Sequence, residues 1–79
     1  MHQDLSLDNV MEQKAFRVTR LTGPQPSRVR MLQMGLTPGT SVTVLRRAPL
    51  ADPVEICVRG TKILLRRDEC RHIQVAGEE

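Results

Sequence analysis

The sequence of 79 residues has almost no aromatic side chains, since Phe16 stands alone without any tryptophan or tyrosine. Barrel proteins that hold single-stranded nucleic acid stack its bases on aromatic side chains, so the composition argues against that class. Two cysteines are too few for the disulfide framework of a small secreted protein. No apolar stretch approaches the roughly 20 residues that cross a bilayer, and the polar first residues do not resemble a signal peptide. These absences favour a single small cytoplasmic domain with free thiols.

Motifs for catalysis are missing as well. The stretch Arg59-Gly60-Thr61-Lys62 lacks the spacing and the Lys-Ser/Thr pair of a phosphate-binding loop. No two carboxylates lie together in an apolar pattern, because Asp68 and Glu69 fall in a predicted turn. We therefore predict that the protein is not an enzyme and that it has no cofactor.

Positive charge is concentrated in the middle of the chain. Residues 15–75 carry eleven basic side chains, ten of them arginine, against four acidic ones, which gives a net charge of +7. The planar arginine fork suits carboxylates and phosphates. The charge predicts a partner with an acidic face or a polyanion, and an ordinary solvated basic surface is the alternative.

Short segments of alternating hydrophobicity predict a mainly β protein. Val54, Ile56 and Val58 show the pattern most clearly, with Glu55 and Cys57 between them. Five such strands are predicted, over residues 15–21, 40–47, 54–59, 62–67 and 72–75. Five short antiparallel strands favour a small SH3-like barrel with one short α-helix capping one end, and a five-stranded OB-type barrel is the alternative. The predicted organisation is a mobile N-terminal leader (1–14), the barrel domain (15–75) and a tail (76–79).

The predicted helix covers residues 28–34 and has clear signals at both ends. Ser27 occupies the N-cap position, and Gly35 is suited to end the helix because it accepts a positive φ. Leu36 then folds back as the apolar contact of such a cap. Pro38-Gly39 predicts a type II turn that leads into the next strand, and Gly60-Thr61 predicts a tight hairpin connection between two later strands.

The helix and a later loop together predict a protein-binding surface. Val29 and Leu32 lie on one side of the helix, with Met31 and Met34 on the other, and so short a helix cannot bury both pairs. A wide apolar stripe that is wholly buried is the alternative. Leu50 lies in a loop that contains Pro49 and Pro53, and it offers a second exposed apolar side chain. The predicted partner-binding residues are Arg28, Arg30, Met31, Met34, Leu36, Arg46, Arg47 and Leu50.

Cys57, Cys70 and His72 are the candidate metal ligands, because thiolate and imidazole both bind zinc and similar metals. The alternation, however, directs Cys70 inward and His72 outward. Two ligands on opposite faces do not chelate one ion, so no metal site is predicted. Cys70 is interpreted as a small core residue and Cys57 as a surface thiol.

The order of several short motifs resembles the ferrous-iron transport protein A family of bacteria. Leu-x-Met-Gly-Leu-x-Pro-Gly begins at Leu32, Arg-Arg-Ala-Pro-Leu-x-Asp-Pro begins at Arg46, and Val-Arg-Gly and Leu-Arg-Arg follow. The resemblance covers residues 15–75 and leaves residues 1–14 without a counterpart. Ala51 stands where the family has a glycine, which places the shape of this loop in question if a positive φ is required there.

The resemblance implies an SH3-like barrel, a cytoplasmic location beside the inner membrane, and a partner. That partner is a ferrous-iron permease with a cytosolic GTPase domain, which the protein would bind and modulate without any nucleic acid. A weak homo-oligomer stays open. The alternative is a nucleic-acid or metal-responsive module related to the C-terminal domain of iron-dependent repressors, although 79 residues leave no room for a DNA-binding domain.

Overall fold

Six antiparallel strands and two short helices make up most of the described chain. The computed structural model describes residues 5–78. Along the chain the elements are β1 (Leu5–Ser6), β2 (Ala15–Leu21), α1 (Gln25–Gln33), β3 (Ser41–Arg47), β4 (Val54–Val58), β5 (Thr61–Leu65), α2 (Arg67–Cys70) and β6 (Ile73–Gly77). The predicted mainly β class with one short capping helix is confirmed, and α2 adds a second helix of four residues where a turn was predicted.

The strands form one sheet in the order β1-β6-β2-β3-β4-β5. Every neighbouring pair is antiparallel, and register shifts interrupt the β2–β6 and β3–β4 pairs. The two ends of the sheet are not hydrogen-bonded to one another, so the predicted closed five-stranded barrel is wrong on both strand number and closure. The extra strand is only two residues long, which is too short to show an alternating pattern in the sequence.

Alternating side chains of the sheet build the core. In β4, Val54, Ile56 and Val58 are buried, whereas Glu55 and Cys57 are partly exposed on the outer face. This is the alternation that the sequence predicts. The core consists of Leu7, Val10, Phe16, Val18, Met31, Leu36, Val42, Val44, Val54, Ile56, Val58, Leu65, Cys70, Ile73 and Val75.

Residues 5–14 belong to the domain, in contrast to their predicted role as a leader. β1 pairs with β6, and Leu7 and Val10 are buried in the common core. Arg47 Nη2 donates hydrogen bonds to the carbonyl oxygens of Leu7 (3.2 Å) and Val10 (2.7 Å). Residues 1–4 of the predicted leader lie outside the described residues. The predicted tail is also wrong in part, because β6 continues to Gly77.

The helix α1 begins three residues earlier than predicted. Pro24 is its N-cap, and Pro26 lies in the first turn. Backbone N–H groups of the first turn have no acceptor within the helix, so the absence of an N–H in proline breaks no helical hydrogen bond there. Ser27 therefore lies inside the helix and makes no cap hydrogen bond. Proline is compatible with the first turn of a helix, so Pro24 and Pro26 do not prevent the earlier start.

The end of α1 confirms the predicted corner. Gly35 has φ +95° and donates its N–H to Leu32 O at 3.0 Å. Leu36 N–H returns to Met31 O at 3.0 Å, which completes a Schellman motif. A turn follows in which Thr40 N–H donates to Thr37 O (3.0 Å) and Gly39 has φ +94°, so the chain reverses into β3.

The β4–β5 hairpin turns one residue earlier than predicted. Val58 pairs with Thr61, so the two turn residues are Arg59 and Gly60 rather than Gly60 and Thr61. Both have positive φ, at +52° and +79°, as a type I′ hairpin requires. Arginine is not typical of that first position, which explains why the sequence did not indicate it.

Candidate protein-binding surface

The exposed apolar pair on α1 is Val29 and Leu32, each 43% exposed. Met31 is completely buried, and Met34 is half-buried against the core. One of the two apolar pairs stays near the surface, as expected from the length of the helix. That pair is Val29 and Leu32, whereas the predicted contact residue Met31 lies in the core. The long methionine side chain fills the space beneath the helix, where a branched valine is too short to reach.

A shallow groove of about 290 Å³ lies between α1 and β2. Leu32 and Leu21 contribute apolar surface to it, and Arg28 lies at its border. Arg28 Nη1 donates to Gly23 O at 2.8 Å, which holds the guanidinium beside the groove. We call this the helix groove, and its lining residues are Thr19, Arg20, Leu21, Arg28, Leu32 and Pro38. A groove of this composition suits an apolar side chain that has a carboxylate nearby.

Leu36 is fully buried, so its predicted place on the surface is wrong. Its other predicted role is confirmed, since it folds back under α1 as the apolar contact of the helix cap. Leu36 therefore stabilises the corner that presents Val29 and Leu32, and it does not contact a partner.

The β3–β4 loop presents Leu50, which is 93% exposed. Ala51 N–H donates to Ala48 O at 2.7 Å, and Asp52 Oδ1 accepts the backbone N–H of Arg67 at 3.0 Å. Ala51 has φ +65°, so the position that resembles a family glycine does require a left-handed backbone. The loop keeps this shape with alanine in the glycine position.

A second groove, of about 350 Å³, lies between this loop and β5. We call it the loop groove. Its walls combine prolines and Leu64 with the charged side chains of Arg46 and Glu55. These two charges form an ion pair at 2.9 Å, and Arg47 lines the same groove. Leu64 is 64% exposed and is a surface residue that the sequence analysis did not single out. Because side chains alternate along a strand and Ile63 and Leu65 face inward, the sequence pattern places Leu64 on the outer face.

The two arginines of β3 differ in role. Arg46 is 79% exposed at the surface, where it forms its ion pair with Glu55. Arg47 turns inward, where its side chain holds the carbonyl oxygens of Leu7 and Val10 and its backbone N–H donates to Glu12. Nη1 of Arg47 is buried and has no hydrogen-bond partner among residues 5–78. The guanidinium of Arg47 therefore stabilises the N-terminal segment.

Arg30 forms an ion pair with Glu69 of α2 and so connects the two helices. The same small helix binds the N-terminal segment, because Asp8 contacts Arg67 at 3.0 Å and Arg71 at 3.6 Å. α2 thus lies at the centre of an ionic network that includes α1 and residues 5–14. The predicted surface residue Arg30 belongs to this network, although its side chain is still 58% exposed.

The candidate metal ligands are separated in the structure. Cys70 is buried in the core, and burial raises the pKa of its thiol to about 12, which keeps it protonated and a poor ligand. Cys57 lies on the outer face of β4, and His72 Nδ1 is 3.3 Å from Thr22 Oγ1. Residues 5–78 contain no group of three or more histidine, cysteine or acidic side chains arranged to hold a metal ion.

Within the same residues, neither helix has the length and hydropathy of a membrane span.

Comparisons with known proteins give a consistent picture. The family model of the FeoA domain matches residues 5–77, which includes most of the segment predicted as a leader. A curated protein of Porphyromonas gingivalis, the Fe(2+) transport protein A/Fe(2+) transporter FeoB fusion protein, is 36% identical over 58 residues. That match covers 73% of this chain and only 7% of the fusion protein.

Solved structures show the same fold. The FeoA protein from Chlorobium tepidum is 31% identical and superposes with a TM-score of 0.88, over 95% of this chain and 71% of that one. The manganese regulator SloR is 18% identical, with a TM-score of 0.79 over 92% of this chain and 34% of that one, which shows a shared fold alone. The predicted SH3-like fold is confirmed by these superpositions, with an open sheet.

Proposed function

Because the chain belongs to the FeoA family, a family linked to Fe²⁺ transport, we propose that it is an accessory protein of ferrous-iron uptake that binds and modulates the Fe²⁺ permease. The fusion relative carries the proposal, since it joins transport protein A and the transporter FeoB in one polypeptide. Two proteins that are fused in one organism commonly associate as separate chains in another. The binding partner is then the cytosolic part of the permease, and the protein is located in the cytoplasm at the inner membrane.

The helix groove and Leu50 are the proposed contact surface. Val29 and Leu32 are exposed apolar side chains on a helix of nine residues, and Arg28 lies beside them. Leu50 is almost fully exposed at the tip of its loop, with Arg46 near its base. The buried centre of a protein interface is more apolar than its rim, and arginine is enriched at interfaces. The partner surface is expected to offer an apolar pocket with acidic residues at its rim.

The proposed mechanism is a shift between two states of the permease. A binding protein changes such an equilibrium only if its affinity differs between the two states. The domain would bind one conformation of the cytosolic part more tightly and so change the rate of Fe²⁺ passage. No reaction on the domain itself is needed, which agrees with the small non-catalytic domain that defines the family.

Co-purification from membranes that contain the permease, under iron limitation, tests this proposal. Wild-type protein is expected to co-purify, and Leu32→Glu should weaken retention at least about tenfold by placing a charge in an apolar contact. Met11→Glu is the matched control, because Met11 is 65% exposed and lines neither groove. Failure of the wild-type protein to co-purify would contradict the function, whereas equal loss in both variants would contradict only the surface.

A further inference from the structure

The sheet has a free edge at β5. This strand pairs with β4 on one side, and residues 61–65 make no other backbone hydrogen bond within the described chain. In a two-residue hairpin the pair next to the turn, here Val58 and Thr61, exchanges both hydrogen bonds. Pairs alternate from there, so Lys62 and Leu64 direct their N–H and C=O groups away from β4. The edge therefore offers two donors and two acceptors to a further strand.

The outer face of this edge carries an apolar side chain between two cations. Lys62 and Leu64 alternate with the inward-facing Ile63, and Leu64 is 64% exposed. Arg66 keeps an extended backbone at φ −74° and ψ 149°, so it continues the alternation on the same face. None of the ion pairs between described residues includes Lys62 or Arg66. Both positive charges are thus available at i and i+4 around Leu64.

The loop groove extends this surface. Leu64 lines the groove together with Pro49 and Pro53, so an apolar side chain placed beside Leu64 has a second apolar wall to contact. Glu55, the cross-strand neighbour of Leu64, is already paired with Arg46 at 2.9 Å. It therefore does not compete for Lys62 or Arg66.

We infer that β5 binds an extended polypeptide segment as a seventh strand, and that the segment carries acidic residues two positions on either side of an apolar residue. Backbone hydrogen bonds to Lys62 and Leu64 would supply affinity, and the side-chain pattern would supply selectivity. The inference does not rest on the permease, since any protein with such a segment qualifies.

A second copy of this chain is a poor occupant of the same edge. Two β5 strands paired antiparallel around Leu64 would place Lys62 of one chain opposite Arg66 of the other. Like charges directly opposite one another destabilise a strand pair. Cations on an edge strand are a common protection against self-pairing, and an acidic segment converts that repulsion into attraction.

Titration of the ¹⁵N-labelled protein with an acetylated, amidated heptapeptide of sequence TETVTET tests the inference. The expected result is saturable binding, with shift changes and slowed amide exchange at Lys62 and Leu64. A peptide with lysine in place of both glutamates should bind at least about tenfold more weakly. Lys62→Glu should weaken binding of the glutamate peptide to a similar degree. Arg17→Glu, an equal change of charge at an exposed position of the central strand β2, should not.

Two peptides methylated on alternate backbone nitrogens separate strand addition from side-chain contact alone. One carries methyl groups on the glutamate and valine nitrogens, the other on the threonine nitrogens. Only the peptide whose methylated nitrogens face β5 should lose binding. The inference is overturned by equal binding of both, by shift changes centred on α1, by no binding at millimolar peptide, or by self-association through β5 without peptide. None of these results bears on the co-purification test.

Discussion

At the scale of single residues, Ala51 shows how a local departure from a pattern can be tested. Its φ of +65° lies in the left-handed region, which costs an alanine roughly 1–2 kcal/mol and a glycine almost nothing. Ala51→Gly relieves this strain but adds freedom to the unfolded chain, worth about 0.4–1 kcal/mol. The net expectation is a free energy of unfolding higher by about 0.5–1 kcal/mol in urea denaturation.

Ala48 is the matched control for Ala51. It lies in the same loop and is not among the residues with positive φ. Ala48→Gly should therefore lower the free energy of unfolding by about 0.4–1 kcal/mol, through the unfolded chain alone. Equal destabilisation by both glycines would show that Ala51 is not strained in solution.

Arg46 and Arg47 are adjacent in sequence and should differ sharply in their contribution to stability. Arg47→Met leaves the carbonyl oxygens of Leu7 and Val10 without their donor, and we expect a loss of about 1–3 kcal/mol. The unpartnered Nη1 is removed at the same time, which favours the lower part of that range. Arg46→Met breaks an exposed ion pair and should cost less than about 1 kcal/mol. Similar losses for both variants in thermal denaturation would argue against an inward role for Arg47.

At the scale of elements, the N-terminal segment marks the limit of what the sequence reveals. β4 could be predicted because Val54, Ile56 and Val58 alternate without interruption. Leu7 and Val10 are three positions apart, which is a helical spacing, but the structure has no helix in this segment. β1 is held instead by long-range pairing with β6. The position of this segment also depends on Arg47 and Asp8, whose side-chain hydrogen bonds join residues 37 to 59 positions apart. Such contacts leave no local signal.

The same limit applies to the candidate surface. Leu50 could be predicted as exposed because prolines surround it in a loop. The spacing on α1 divides its apolar residues into two pairs but cannot say which pair faces the sheet. That choice depends on how Met31 and Leu36 fill the space beneath the helix. The outward direction of the Leu64 side chain follows from its alternation with Ile63 and Leu65.

Leu7→Ala tests whether residues 5–14 are part of the folded unit. Leu7 is fully buried, so truncation creates a cavity, and we expect a loss of about 2–5 kcal/mol in the free energy of unfolding. Met11→Ala, at a 65% exposed position in the same segment, should change it by less than about 0.5 kcal/mol. Two variants with wild-type stability would place the segment outside the core after all.

At the scale of the whole molecule, an open six-stranded sheet divides its surface into distinct regions. α1 and the β3–β4 loop present exposed apolar side chains beside arginines, and β5 presents a free edge with its own charge pattern. The core lies on the other face of the strands, and the ionic network around α2 binds the N-terminal segment to α1. A domain of this size can therefore contact more than one partner without changing its fold.

Uptake of Fe²⁺ into proteoliposomes that contain the purified permease and GTP tests the central claim most directly. Saturating wild-type protein should change the initial rate, Leu32→Glu should require at least about tenfold more protein for the same change, and Met11→Glu should match the wild type. An initial rate that stays the same at every concentration of folded wild-type protein would contradict the account.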